Sequence, residues 1–353
     1  MQSRRKSDKG SGMRQVVAVA LGLLLVLFLM PLLFFRGERT VETPLPTPTT
    51  TPTATLPIDH TVVSPPPNTE KGDKDVKVKV KMTDGSVKEM TMADYLWRVV
   101  AAEMPASFNL EALKAQAVAA RTYADAKMAG TVENHPDAYM CTDINCCQAY
   151  IEPDAAAANW STDAALYTDK ITQAVAGTDG MIATYNGAPI QAVFFSSAAG
   201  RTVDAVEVWG NSVPYLTGVT SPEGEEVPNY RSTMSLSIDG FKSIFLSQYS
   251  EANLDGDTSA WFTDVEKNSA GGVERMKIGG VTVTGMAVRT LFGLRSTNFT
   301  VAVADGSVTF NVTGYGHGVG MSQYGANALA GQGKTYEEII KWYYTGVTLE
   351  KIR

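Results

Sequence analysis

Residues 16–35, VVAVALGLLLVLFLMPLLFF, run for twenty apolar residues without a charge. That is about the length a helix needs to cross the hydrocarbon of a bilayer. Seven basic residues against two acidic ones give residues 1–40 a net +5. The rest of the chain therefore carries −12 of the overall −7. Basic residues ahead of the apolar run predict a cytoplasmic tail over 1–15 and a single-pass transmembrane helix over 16–35, with everything after it outside the cytoplasm. A cleaved signal peptide is the competing reading, but its apolar region is usually shorter and ends in small residues. Here RGERTVETP follows, with no A-x-A pattern. The acidic body argues against nucleic acid as a partner, because it would repel phosphates.

Residues 36–75 are rich in Pro and Thr. Such a composition cannot bury a core and predicts an extended tether. The folded body is expected over 76–353. VKVKVKM alternates strictly, and Asp84-Gly85 before SVKEMTM predicts a hairpin. Thr91 with Asp94 resembles a capping box opening a helix. On that helix Leu96, Val99, Val100 and Glu103 fall at i, i+3, i+4 and i+7, so Glu103 stands at the end of an apolar stripe. Pro105 stops it. Asn109 is placed to cap a second helix, rich in alanine and closed by Gly130. From about 165 to 310 the pattern is mostly of β type, with short apolar runs between Gly, Asn, Asp and Pro. Thr335 and Glu338 predict a second capping box near the C-terminus. The fold class expected is α+β: a β-rich middle with helices at both ends forming a cleft.

Four stretches can carry chemistry. Glu103 is either an acid kept protonated by apolar surroundings or a helix-end glutamate paired with a base such as Arg121. His135, Cys141, Cys146 and Cys147 lie within thirteen residues. They fit a four-ligand zinc site of structural type, or a disulfide with one thiol left over. In TGYGHGVGMSQYG, four glycines surround His317. They permit positive φ or close approach to a ligand, with His317, Gln323 and Tyr324 available to hydrogen-bond a sugar; a structural turn is the alternative. In FFSSAAGRT, Ser196 and Ser197 lack a nucleophile-elbow pattern. Hydrogen bonding to a substrate or a tight turn at Gly200 fits them better.

The segments AAEMPASFNLEALKAQAVAARTYA, FFSSAAGRT, GLRSTNF and GYGHGVGMSQYGANALAGQGKTYEEIIKWYYTG resemble the stage II sporulation protein D (SpoIID/LytB) family from about residue 76 to the end. The resemblance implies a membrane-anchored lytic transglycosylase. It would cleave peptidoglycan glycan strands stripped of their stem peptides during forespore engulfment. Its partners would be an amidase/endopeptidase and a membrane protein of the engulfment complex. Glu103, in the E-M-P motif, would be the catalytic acid. Arg121 would orient it or bind substrate, and Ser196, Ser197, His317, Gln323 and Tyr324 would line the cleft. Some clostridial members hold zinc with a similar cluster, in which a histidine stands where this chain has Cys146. A non-catalytic wall-binding protein or amidase activator is the rival class; a zinc amidase is disfavoured by the cysteine-rich ligand set.

Overall fold

The computed structural model describes residues 72–130 and 132–352. The segments read as cytoplasmic tail and transmembrane helix, and the tether as far as residue 71, lie outside them. Among the described residues no helix is long and apolar enough to cross a membrane. The body reaches further back than Val76. A short 3-10 turn, Asp73–Asp75, belongs to it, and Asp73 is buried. It falls in the stretch whose Pro/Thr-rich composition predicts a tether, because the buried cation that receives Asp73 is distant in sequence.

The expected hairpin forms from Lys77–Lys81 and Val87–Thr91, with Val78 and Val80 turned fully inward and Met140–Cys141 added in parallel on its free edge. Helix α1 (Met92–Glu103) starts at Thr91, whose hydroxyl accepts the Asp94 N–H. Helix α2 (Leu110–Met128) follows. Asn109 precedes it, yet its side chain does not cap; it bonds Asn327 far along the chain. Six alanines of α2 (112, 115, 117, 119, 120 and 124) have no exposed surface. Burial on nearly every side places α2 in the core, with Gln116, Arg121 and Thr122 buried among the alanines. Helices α1 and α4 (Ala164–Ala176) pack against α2, α3 (Pro153–Trp160) packs on α4, and α5 (Ala205–Trp209) and part of the C-terminal region join the same core.

The middle is less purely β than its composition suggests. Residues 164–176 are the helix α4, and α6 (Ile238–Gln248) and α7 (Gly285–Phe292) interrupt the strands beyond it. Short apolar runs do not distinguish buried strand from buried helix, and tertiary packing decided these. Strands Arg231–Ser237, Phe299–Ala304 and Ser307–Thr313 form one antiparallel sheet, and Phe262–Lys267, Val273–Ile278 and Val281–Thr284 another. Together with α6 and α7 they enclose a second core, in which Phe241 stacks on Phe292 at 5.1 Å.

The chain then returns to the first core through α8 (Gln323–Gly331) and α9 (Tyr336–Tyr343). The capping box at Thr335 and Glu338 is complete. The expectation of helices from both chain ends meeting is met here, since α8 and α9 pack on α2. Strand Met321–Ser322, just before α8, pairs in parallel with Phe194–Phe195. The glycines before it serve this pairing, so the close approach is to the chain's own strand. Gly320 has φ +77°, and a Cβ there would meet the Val193 carbonyl oxygen at 2.1 Å. Gly320→Ala is expected to cost about 2–4 kcal/mol from combined strain and overpacking, read as a lowered denaturation midpoint.

Candidate active site

Glu103 ends α1 and lies half-buried between two other segments. Its Oε1 accepts the Ala149 backbone N–H at 2.6 Å, and its Oε2 accepts a longer bond from Gln323 Nε2 at 3.4 Å. Burial raises the carboxyl above its ordinary value, and those two donors only partly oppose the shift. Among the described residues no base is paired with it. Gln323 Nε2 also reaches Gln116 Oε1 at 3.5 Å, so α1, α2 and α8 meet at one polar cluster. Gln116 is fully buried, and its Nε2 has no hydrogen-bond partner.

The cysteine segment forms the third side. The donor atoms of His135, Cys141, Cys146 and Cys147 lie within 4.8 Å of one another. That is close to twice a zinc–sulfur bond of about 2.3 Å, the span available to donors around one ion. The three thiols are free rather than bridged. His135 Nδ1 is held by the Ala138 carbonyl at 2.9 Å, which leaves Nε2 facing Cys147 Sγ at 3.3 Å. A ring nitrogen fixed in this way orients its neighbour as a ligand. The cluster can therefore hold a metal ion. Only Gln148 separates Cys147 from Ala149, the residue that donates to Glu103.

The family model described as stage II sporulation protein, SpoIID, matches residues 81–185, which include both Glu103 and the metal-type cluster. Stage II sporulation protein D of Bacillus amyloliquefaciens is 37% identical over 278 residues, covering 78% of this chain and 79% of that protein. The chain belongs to the stage II sporulation protein D family. The Bacillus subtilis (strain 168) protein of the same name is 35% identical over 305 residues, 84% of this chain and 87% of the relative. The amidase enhancer of Bacillus subtilis (strain 168) is 32% identical over 300 residues, which are 71% of this chain but 39% of that longer protein.

Other residues that the resemblance to the SpoIID family put in the cleft are differently placed. Arg121 has no exposed surface. It pairs with Asp73 at 2.7 Å and donates to the Met181 carbonyl, on the side of α2 away from Glu103's partners. It neither orients Glu103 nor meets solvent. His317 spends both ring nitrogens within the chain: Nε2 lies 3.0 Å from the Phe194 carbonyl and Nδ1 accepts the Val319 N–H. Burial lowers its pKa to about 4, so the ring is neutral and ties the glycine loop to the neighbouring strand. Ser197 is buried and pairs through its backbone with Tyr315. Ser196 is half-buried, and its carbonyl accepts the Tyr324 N–H. Tyr324 packs edge-on against Phe108. Of this group, Gln323 alone bonds Glu103.

Sequence reasoning missed Glu223. This buried carboxylate accepts the Ala198 N–H, the Ser221 hydroxyl and the Ser322 hydroxyl. Ser322 caps α8, so Glu223 fixes the helix start that carries Gln323. In sequence it stands in SPEGEE, which reads as a solvated turn.

Proposed function

We propose that this chain is a lytic transglycosylase. It would cleave the bond between N-acetylmuramic acid and N-acetylglucosamine in glycan strands freed of stem peptides. The observation that carries the reading is Glu103, a carboxyl raised by burial, held on one oxygen by the Ala149 N–H and touched on the other by a neutral amide. With the proton on Oε2, Glu103 delivers it to the glycosidic oxygen as the C1–O bond breaks and positive charge develops on the muramic ring. The resulting carboxylate then takes the proton of the muramic 6-hydroxyl as that oxygen bonds C1. A 1,6-anhydro end forms, no water is consumed, and Glu103 regains its proton. One carboxyl serves both steps, and among the described residues no second carboxylate touches Glu103. The family's sporulation role and the basic, apolar N-terminus support placing the enzyme on the membrane with its body outside, acting with an amidase/endopeptidase in engulfment.

A second reading has its own support. The amidase enhancer relative makes a non-catalytic activator of a wall amidase the alternative. The full-length chain and its Glu103→Gln variant, incubated with denuded strands and, beside a wall amidase, with intact peptidoglycan, separate the two. Anhydro ends from the native chain only support the enzyme, whereas enhancement of an amidase that survives the substitution supports the activator.

The His135, Cys141, Cys146 and Cys147 set suits zinc, whose four protein ligands would leave no open position and so supply structure rather than Lewis-acid chemistry. It would clamp the segment leading to Ala149. About one zinc per chain is expected from elemental analysis. Cys147→Ser or chelation is expected to remove it, lower the melting temperature and weaken activity.

A further inference from the structure

Three segments run side by side away from Glu103. On α2, Gln116 lies at Gln323; Tyr123 and Lys127 follow on the same face, about 10 Å and 16 Å further along at 1.5 Å per residue. On the cysteine segment, Ala149 bonds Glu103 and Cys146 accepts the Tyr123 hydroxyl through its carbonyl. On the third, the Ser196 carbonyl accepts the Tyr324 N–H beside Gln323, while Gln191 and Val193 line one depression with Tyr123 and Lys127. A depression of about 350 Å³ lined by Tyr123, Lys127, Gln191, Val193 and Trp209 therefore lies further along α2 from the polar cluster at Glu103.

Its chemistry is that of a saccharide site with a charge. Trp209 is 44% exposed, an unusual state for so large an apolar ring, and its neighbour His317 supports it at 5.7 Å. Exposed indoles present flat faces to the apolar faces of sugars, and the Gln191 amide offers both donors and acceptors. Lys127 lies over the Tyr123 ring at 5.5 Å and has no carboxylate partner among the described residues. Beyond residue 40 the chain carries −12, so an acidic polymer is repelled in general and needs a local cation where it docks.

We propose that this depression is a distal glycan subsite in which Lys127 pairs with the free lactyl carboxylate of a muramic acid. The inference rests on the transglycosylase reading for its substrate class and deepens it. A stem peptide converts that carboxylate to a neutral amide and adds bulk, so Lys127 selects stripped strands. Trp209 stacks on the ring whatever its substituent.

The test compares the full-length native chain with Lys127→Met, Lys127→Arg and Trp209→Ala on three probes. These are denuded strands, the same strands with their lactyl carboxylates converted to methylamides, and chitohexaose. Native protein should bind the free-acid strands about tenfold more tightly than the methylamides, the worth of one partly exposed charge-assisted contact. Lys127→Met should erase that ratio by raising Kd and KM on the free-acid strands, with kcat and chitohexaose binding unchanged. Lys127→Arg should restore most of it. Trp209→Ala should weaken all three probes. An unchanged ratio in Lys127→Met overturns the proposal, even where anhydro ends still form and the transglycosylase stands. Should the native chain form no anhydro ends, the binding ratios decide the subsite independently of the enzyme.

Discussion

Glu103→Gln is expected to lower the rate of anhydro-muramic end formation by about 10²–10⁴-fold, the usual worth of a positioned proton donor. The substitution keeps the shape, and its carbonyl oxygen still accepts the Ala149 N–H. Melting should therefore show no loss of structure. The pH profile provides a second reading of the same group. Burial raises Glu103 above 4.5, and the acid works in its protonated form. Activity should accordingly fall as pH rises through the folded value, placing the alkaline limb of kcat/KM above the ordinary glutamate range. The sign for stability is the same. The folded chain holds this proton more tightly than the unfolded one, so its stabilisation is complete below the unfolded value and is lost as pH rises through the folded one. Glutamine has no such proton to lose, and the variant should melt at or above the native temperature near neutral pH. Reducing ends instead of anhydro ends would mean that water attacks C1, and the proposed role of the 6-hydroxyl would fail.

Arg121→Met is expected to be the most destabilising of the side-chain replacements, at about 3–5 kcal/mol, because it removes one partner of a fully buried ion pair. Arg121 has no exposed surface and Asp73 only 1%. The substitution strips Asp73 of its guanidinium and frees the Met181 carbonyl as well. Denaturant midpoints read the loss directly. The double variant Asp73→Leu/Arg121→Met should recover much of it, since an apolar pair of similar volume replaces a buried pair at little cost. On the protein that stays folded, KM for glycan should be unchanged. A raised KM with unchanged stability would return Arg121 to the substrate groove and contradict the geometry described above.

Arg121 also shows where sequence and structure part. The residues alone offer Arg121 as a base to pair with Glu103, and the resemblance to the family implies that it orients Glu103 or binds substrate. Its partner Asp73 lies 48 residues away in sequence, in a stretch that composition marks as tether. His317 is a similar case. Its glycine-rich setting suggests a ligand loop, but the strand it needs is 123 residues upstream, and the ring bonds that strand.

Local signals held where their physics is local. The Asp84-Gly85 hairpin, the caps at Thr91 and Thr335, the stop at Pro105 and the alanine-rich helix α2 depend on neighbours within a turn or two. The position of Glu103 at the end of an apolar stripe was legible for the same reason, as was the gathering of His135 with three cysteines close in sequence. What only the tertiary structure decided is which polar groups are already satisfied. Arg121 and His317 are spent inside the fold, Glu223 is buried to hold a helix start, and Gln323 and Ala149 converge on Glu103 from 220 and 46 residues away. Hydrogen-bond partners at such separations leave no periodicity in the chain. Burial raises a carboxyl and neutralises a histidine only once those distant segments have closed around them.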